Sequence, residues 1–197
     1  MKRKASHILE EKILIEQAQQ GDRKSLAKLV KNYEQTVYNF AFKVCRNKDK
    51  AEHAMQETFM SMVKSLKQFS GKSKLSTWLY TIVSNHCMMQ ARSNKNKFTD
   101  SLDNEDVHLN ETEFAEWKVT PDQVTENNEL KNILDEAIQK LPSDYKIVFL
   151  LRDVEGLSTE ETGKIVDLSI PAVKSRLHRA RAFLRNELNE VLRDGKA

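Results

Sequence analysis

The chain has 197 residues but only 5 Gly and 3 Pro, too few for the many tight turns of an all-β protein. It has no apolar run near the ~20 residues that a membrane helix needs. Its basic start, residues 1–7, is followed by glutamates rather than by the apolar segment of a signal peptide. Two cysteines cannot form a disulfide framework. These absences predict a cytoplasmic protein without membrane insertion.

Motifs of catalysis are also missing. The sequence contains no Gly-rich phosphate loop, no Ser/His/Asp set and no HExxH, so we expect no enzymatic activity and no cofactor. Cys45, Cys87, His53 and His86 could in principle bind a metal, but they lack the ligand spacing of a zinc finger. We therefore expect no metal site, and we expect these side chains to be separate, each either buried or solvated.

Charge divides the chain into three segments. Residues 1–97 hold 19 Lys and Arg against 8 Asp and Glu, residues 98–120 hold one Lys against 7 acids, and residues 121–197 hold 12 basic and 14 acidic groups. The basic first segment indicates a polyanionic partner, although a solvated basic face has the same composition. The acidic segment has no sustained period, which favours a linker between two small domains at 1–97 and 121–197.

Apolar spacing predicts helices in both domains. In the first domain, three stripes with helical spacing begin near Leu26, Ala51 and Ser76. Asp22 is the expected N-cap of the first stripe, and Asp49 with Glu52 has the spacing of a capping box for the second. In the second domain, the residues around Pro121, Pro142 and Pro171 look like helix starts. The predicted fold class is all-α: two small helical domains joined by an acidic linker.

Residues 158–181 have the pattern of a helix-turn-helix. The segment 158–161 is a capping box, 167–169 is a tight turn, and the second helix is basic. Val173, Leu177 and Ala180 are spaced to face inward, which leaves a basic surface for the major groove of DNA. The helix start at Ser158 offers N–H groups to a phosphate. The alternative is a basic, solvated helix on a protein-binding bundle.

These motifs resemble the bacterial sigma-70 superfamily. The resemblance to region 4 lies in residues 141–142, 148–153, 155–158, Glu161 and 173–181 (Val-Lys-Ser-Arg-Leu-His-Arg-Ala-Arg). The resemblance to region 2 lies in residues 49–59 and 69–85. The lack of other domains is similar to the extracytoplasmic-function (ECF) group. The sequence departs from the family at His53, where Asp is usual, and at Gly163, where Ala is usual.

The resemblance implies a promoter-specificity subunit that binds core RNA polymerase, recognises two promoter elements in double-stranded DNA and promotes opening to a melted single strand. An anti-sigma factor is a usual partner of the group. The acidic linker would thread the polymerase channel, or would serve as a tether between two DNA readers. The main alternative is a helix-turn-helix transcriptional regulator that does not bind core polymerase as a sigma factor and whose first domain senses a signal.

The implied site residues form four sets. Core polymerase is expected to contact Glu52, His53, Gln56, Glu57 and Phe59. The minus-ten element and its flipped base are expected at Ser70, Gly71, Lys72, Lys74, Trp78, Tyr80 and Asn85. The minus-thirty-five element is expected at Pro171, Lys174, Ser175, Arg176, His178 and Arg179. Phosphate contacts are expected at Arg92, Lys95, Lys97 and Ser158.

Overall fold

The computed structural model describes residues 2–93 and 128–193. Within these ranges the chain is helical and contains no β-strand, which confirms the all-α prediction. The chain forms two compact units, one ending at Met89 and the other beginning at Gln90. The predicted domain boundaries near residues 97 and 121, like the predicted helix start at Pro121, lie outside the described residues.

The first unit contains four α-helices and one short 3-10 helix. They are α1 (Lys2–Gln19), α2 (Arg23–Cys45), α3 (Lys48–Ser65), the 3-10 helix Leu66–Gln68 and α4 (Leu75–Ser93). The caps of α2 and α3 follow from local chemistry. The Asp22 carboxylate accepts hydrogen bonds from the backbone N–H groups of Lys24 and Ser25, as predicted. For α3 the prediction of Asp49 was wrong: Asn47 is the N-cap, and its side chain accepts from the N–H of Lys50.

The core of the first unit brings together the apolar stripes of α2, α3 and α4. Leu29, Phe40, Met62 and Val83 are completely buried. The Phe40 ring lies 5.0 Å, centroid to centroid, from the ring of Tyr80 at an interplanar angle of 57°, within the range of favourable aromatic pairs. These contacts bring α2 and α4 together in the core.

The same packing brings the two cysteines into contact. The Cys45 sulfur at the end of α2 lies 3.7 Å from the Cys87 sulfur in α4. The expectation of separate cysteines was therefore wrong, because side chains 42 residues apart in sequence can be joined only by the packing of helices. Within the described ranges, no group of three or more His, Cys, Asp or Glu side chains is placed to hold a metal ion.

The second unit is a bundle of short helices closed by one long helix. Its elements are α5 (Asn128–Lys140), α6 (Ser143–Phe149), a π-helical turn (Leu150–Val154), α7 (Thr159–Val166) and α8 (Ile170–Arg193). The π turn was not expected from the periodicity. It shows in the bond from the Glu155 N–H to the Leu150 carbonyl, which spans five residues. Gly156 then reverses the chain with a φ of +69°.

The helix-turn-helix is tightly closed at its turn. Ser158 and Glu161 form the predicted capping box at the start of α7. Asp167 ends α7 in the left-handed region with a φ of 54°, and the N–H of Leu168 donates to the carbonyl of Gly163 at 2.9 Å. A Cβ at Gly163 would stand 2.7 Å from the Leu168 carbonyl oxygen, so this turn needs a residue without a side chain.

In the part of the chain that the structure describes, none of the helices combines the length and the apolar character needed to cross a bilayer.

Candidate nucleic-acid and polymerase interfaces

Helix α8 buries one apolar stripe and exposes the opposite side. Val173 and Ala180 are 0% exposed and Leu177 is 7% exposed, as their spacing predicted. Pro171 and Lys174 are exposed, while Ser175, His178 and Arg179 are partly exposed. Ser169 caps the helix by accepting from the N–H of Ala172 at 3.3 Å. The N-terminal half of α8 thus presents a polar and basic surface on a rigid support.

Arg181 belongs to the scaffold of the second unit. Its Nε and Nη2 donate to the two carboxylate oxygens of Asp153 at 2.8 and 2.7 Å. This fork joins α8 to the π turn and, by hydrogen bonding, raises the pKa of Arg181. The guanidinium of Arg152 in the same turn donates to the carbonyl of Leu157. Arg181 therefore fixes α8 to the π turn, while Arg152 fixes the residues that lead into α7.

Arg176 is turned toward its own unit rather than fully outward. Its Nη1 lies 3.8 Å from an Asp144 carboxylate oxygen, and its guanidinium carbon lies 5.9 Å from the centroid of the Tyr145 ring. Its side chain is 30% exposed. The base contact predicted for Arg176 stays a prediction, and Asp144 and Tyr145 are the groups beside its guanidinium in this structure.

Ser158 is also engaged by its own helix. Its backbone N–H donates to Glu161 Oε2 at 2.9 Å, and its side-chain oxygen accepts from the Glu161 N–H at 3.1 Å. The capping box therefore uses the N–H of Ser158 itself, and a phosphate contact at this helix start stays a prediction. The hydroxyl hydrogen is the group of Ser158 that can still reach a phosphate.

The loop of residues 69–74 is the most exposed predicted site in the first unit. Ser70, Gly71, Lys72 and Lys74 are all exposed, and Gly71 has a φ of +71°. Beside the loop lies a groove of ≈ 630 Å³. Its walls include the apolar side chains Ile15 and Leu75, the aromatic side chains Tyr33 and Phe69, and the acids Glu11 and Glu16.

Two residues of this region were missed by the sequence analysis. The Gln19 amide donates to the carbonyls of Leu66 and Phe69 at 2.9 and 2.8 Å, which ties the base of the loop to α1. The Tyr33 hydroxyl donates to a Glu11 carboxylate oxygen. Burial, with Glu11 beside it, raises the pKa of Tyr33, so the phenol stays protonated. Neither Gln19, a polar residue at the end of α1, nor Tyr33, within α2, gave a local signal of its role.

The aromatic residues of α4 differ in their surroundings. Trp78 is partly exposed, and its ring lies 5.1 Å from the ring of Phe69. Asn85 is exposed. Tyr80, by contrast, is 6% exposed and packs on Phe40. Tyr80 is therefore a core residue, which corrects its assignment to the DNA-facing surface.

Helix α3 presents the surface predicted for polymerase. His53, Gln56 and Met60 are exposed, and Glu52 and Glu57 are partly exposed. Glu52 and Gln56 also line a groove of ≈ 260 Å³ between α2 and α3. The other residues that line this groove are Glu34, Gln35, Tyr38 and Met55, which the sequence did not indicate. Phe59 is only 9% exposed. Its assignment as a polymerase contact is corrected, because the ring packs inward.

The remaining predicted phosphate contacts fall at or beyond the end of α4. The backbone of Arg92 is helical, whereas Lys95 and Lys97 lie outside the described residues.

A helix-turn-helix on a compact helical unit defines a class of DNA-binding protein, and comparison with known families specifies it further. The model described as Sigma-70 region 2 matches residues 29–97, and the model described as Sigma-70, region 4 matches residues 131–184. These matches coincide with the units that carry the 69–74 loop and α8.

Curated relatives extend the likeness over nearly the whole chain. The ECF RNA polymerase sigma-E factor of Haemophilus influenzae is 31% identical, and the match covers 93% of this chain and 98% of the relative. The ECF RNA polymerase sigma factor SigW of Bacillus subtilis is 29% identical, with 90% and 96% covered.

Solved structures share the fold. The sigma factor RpoE from Bartonella quintana, solved in complex with the anti-sigma factor NepR, has a TM-score of 0.61 at 23% identity, covering 84% of this chain and 98% of that chain. This chain belongs to the ECF group of the sigma-70 family. The ECF relatives favour an RNA polymerase sigma factor over a regulator that does not bind core polymerase, and the sigma family is not a class of enzymes.

Proposed function

We propose that this sigma factor associates with core RNA polymerase through α3 and contacts promoter DNA through α8 and the 69–74 loop. The observation that supports the proposal is that each of these three surfaces lies over a buried apolar core and is exposed to solvent. In each case buried apolar side chains form a core below, while polar or basic side chains lie at the surface above it. The cytoplasm, where the chromosome lies, is the location that we propose.

Helix α8 would read the minus-thirty-five element. Ser175, His178 and Arg179 lie on the side of α8 away from Val173 and Leu177, and Lys174 is exposed on its flank. A helix docked by its N-terminal half can bring such side chains to base edges in the major groove. Arg176 stays in this set, since its side chain is 30% exposed and its Nη1 lies 3.8 Å from an Asp144 carboxylate oxygen.

The groove beside the 69–74 loop would receive a flipped base of the minus-ten element. Its apolar and aromatic walls suit the faces of a base, and the acids Glu11 and Glu16 in its walls are matched in number by Lys12 and Lys74. Lys72 and Lys74 are exposed on the loop, where they can meet the strand's backbone. The groove and the lysines thus divide the recognition of a melted strand between base and phosphate.

The surface of α3 would bind the polymerase. Met60 and Val63 are 52% and 51% exposed, and an exposed apolar pair next to polar Glu52 and Gln56 is typical of a protein interface. The acidic linker at 98–120 would join domains at 1–97 and 121–197.

An anti-sigma factor is a further proposed partner, since the Bartonella RpoE was solved in complex with one.

In vitro transcription tests the proposal. Core polymerase is mixed with an equimolar amount of the chain and a library of upstream regions, and run-off transcripts are sequenced. We expect transcripts from promoters that share two elements, with no second sigma factor added. If transcription required a second sigma factor, the proposal would fail and the chain would act as a helix-turn-helix regulator.

A surface variant separates docking from DNA contact. The double substitution Glu52→Ala with Gln56→Ala is expected to weaken assembly with core polymerase, since both residues face outward on α3. The matched control is Lys28→Ala with Asn32→Ala, two exposed positions of α2. Normal assembly of the α3 double variant in native gels would remove α3 from the interface.

A further inference from the structure

The two cysteines of the chain are neighbours in space. Cys45 is the last residue of α2, Cys87 lies within α4, and their sulfurs are 3.7 Å apart although 42 residues separate them in sequence. Both are reduced. A disulfide bond is about 2.05 Å long, so the sulfurs are in contact but would need to approach by about 1.6 Å to be joined.

The two sulfurs differ in their access to solvent. Cys87 is 1% exposed, whereas Cys45 is partly exposed. The hydrogen bond with Cys45, followed by burial, raises the pKa of Cys87, which keeps the Cys87 sulfur protonated and less reactive. A small oxidant therefore reaches the Cys45 sulfur first, and the buried Cys87 sulfur can react only with Cys45 in a second step.

The backbone at Cys45 allows the required approach. Helix α2 ends at Cys45, Arg46 follows in the left-handed region with a φ of 44°, and Asn47 already caps α3. Because the regular helix ends at Cys45, a rotation of its side chain with a small shift of the helix end can bring the two sulfurs together. Cys87, in the middle of α4, can stay in place.

We propose that Cys45 and Cys87 form a modification site for hydroperoxides, at which oxidation joins them in an intramolecular disulfide. The Cys45 thiolate attacks one oxygen of hydrogen peroxide and becomes a sulfenic acid. The O–O bond breaks, and the other oxygen leaves as hydroxide, which takes up the proton that Cys45 lost and becomes water. The Cys87 sulfur then attacks the Cys45 sulfur, the S–O bond breaks, and water leaves with the proton of Cys87. Two thiols lose two electrons and two protons, and hydrogen peroxide is reduced to two waters.

The bond would fasten the end of α2 to α4 around α3. A crosslink between residues 42 apart restricts the unfolded chain and stabilises the fold to which it belongs. Neither cysteine belongs to the surfaces proposed for DNA or polymerase. The expected effect of oxidation is therefore a more stable first unit, and the inference does not depend on the proposed function.

Thiol counting on the full chain tests the site. The reduced protein is treated with hydrogen peroxide, denatured and labelled with iodoacetamide. We expect loss of both labelled thiols, a mass lower by two hydrogen atoms, and a monomeric product whose peptide map joins Cys45 to Cys87. The midpoint of thermal unfolding should rise by roughly 10 °C and return to its starting value after reduction with dithiothreitol.

Two variants test the order of the steps. With Cys87→Ser, oxidation should stop at a sulfenic acid on Cys45, which dimedone captures. With Cys45→Ser, the buried Cys87 should keep its thiol, and the thermal shift should vanish. Intact labelling of both wild-type thiols, a dimer linked between chains, or direct overoxidation of Cys45 would overturn the proposal. The wild-type count decides it even if a variant unfolds.

Discussion

The two regions that we propose to contact DNA differ in the surroundings of their positive charges. In α8, Arg181 is bound to Asp153 and Arg176 faces Asp144, so two of its arginines are paired with acids of their own unit. In the 69–74 loop, Lys72 and Lys74 are exposed, while the loop itself is held by hydrogen bonds from Gln19. The number of cations in a segment therefore does not measure the charge that it offers to DNA.

This difference suits the two tasks. A helix that reads an intact duplex must keep a fixed orientation, because base edges are recognised by geometry. A loop that captures a base from a melted strand needs side chains that adapt to a flexible backbone. In this chain, internal ion pairs stabilise the helix, whereas exposed lysines on an anchored loop would contact the melted strand in the function that we propose. The following predictions test this contrast, beginning with the largest effect.

Removal of the carboxylate partner should loosen the second unit. Asp153→Ala leaves the partly buried Arg181 without its fork, and we expect a loss of about 2–3 kcal/mol in the stability of that unit. Hydrogen exchange of α8 amides should speed up accordingly. Glu160→Ala, at an exposed acid of α7, is the control. If α8 exchanges at the same rate in both variants, the Arg181 fork does not support the helix.

A side chain in the turn should have the next largest effect. Gly163→Ala gains up to about 1 kcal/mol in helix propensity, but the new Cβ meets the Leu168 carbonyl oxygen at 2.7 Å. Because the clash is with backbone, we expect a net loss of about 1–2 kcal/mol, measured by chemical denaturation. The neighbouring exposed residue supplies the control, Lys164→Ala. A more stable Gly163→Ala protein would show that the turn opens easily.

Loss of the loop anchor should impair DNA opening rather than duplex binding. Gln19→Leu removes two hydrogen bonds to the base of the 69–74 loop, worth about 1–2 kcal/mol together. We expect open-complex formation, followed by permanganate reactivity of promoter thymines, to fall about 5- to 30-fold. Gln20→Ala, one residue away and exposed, should behave as wild type. Equal loss of closed-complex binding would contradict a role confined to the loop.

Neutralising a loop lysine should have the smallest effect. Lys72→Ala is expected to weaken binding to all single-stranded sequences by a few-fold and to lower the salt slope by about 0.7. Lys67→Ala, exposed on the 3-10 helix before the loop, is the comparison. A change in sequence preference, with the salt slope unaltered, would mean that Lys72 reads a base.

Local chemistry made much of the fold predictable. The helix of α2, the Asp22 cap, the capping box of α7 and the turn at residues 167–169 all depend on residues within one or two helical turns. The same holds for Val173, Leu177 and Ala180, whose spacing alone predicts the buried side of α8. The cap of α3 was misplaced by two residues because Asn47 and Asp49 are both competent N-caps.

The sequence by itself determined which segments are helical, where most of them begin and that one of them is basic, since these properties arise between near neighbours in the chain. Only the tertiary structure decided that Tyr80 and Phe59 are buried, that Arg176 faces Asp144, that Gln19 holds the 69–74 loop and that Cys45 touches Cys87. Each of these depends on how elements distant in sequence pack. The apolar periodicity of a single helix shows which side will be buried but not which other element will pack against it.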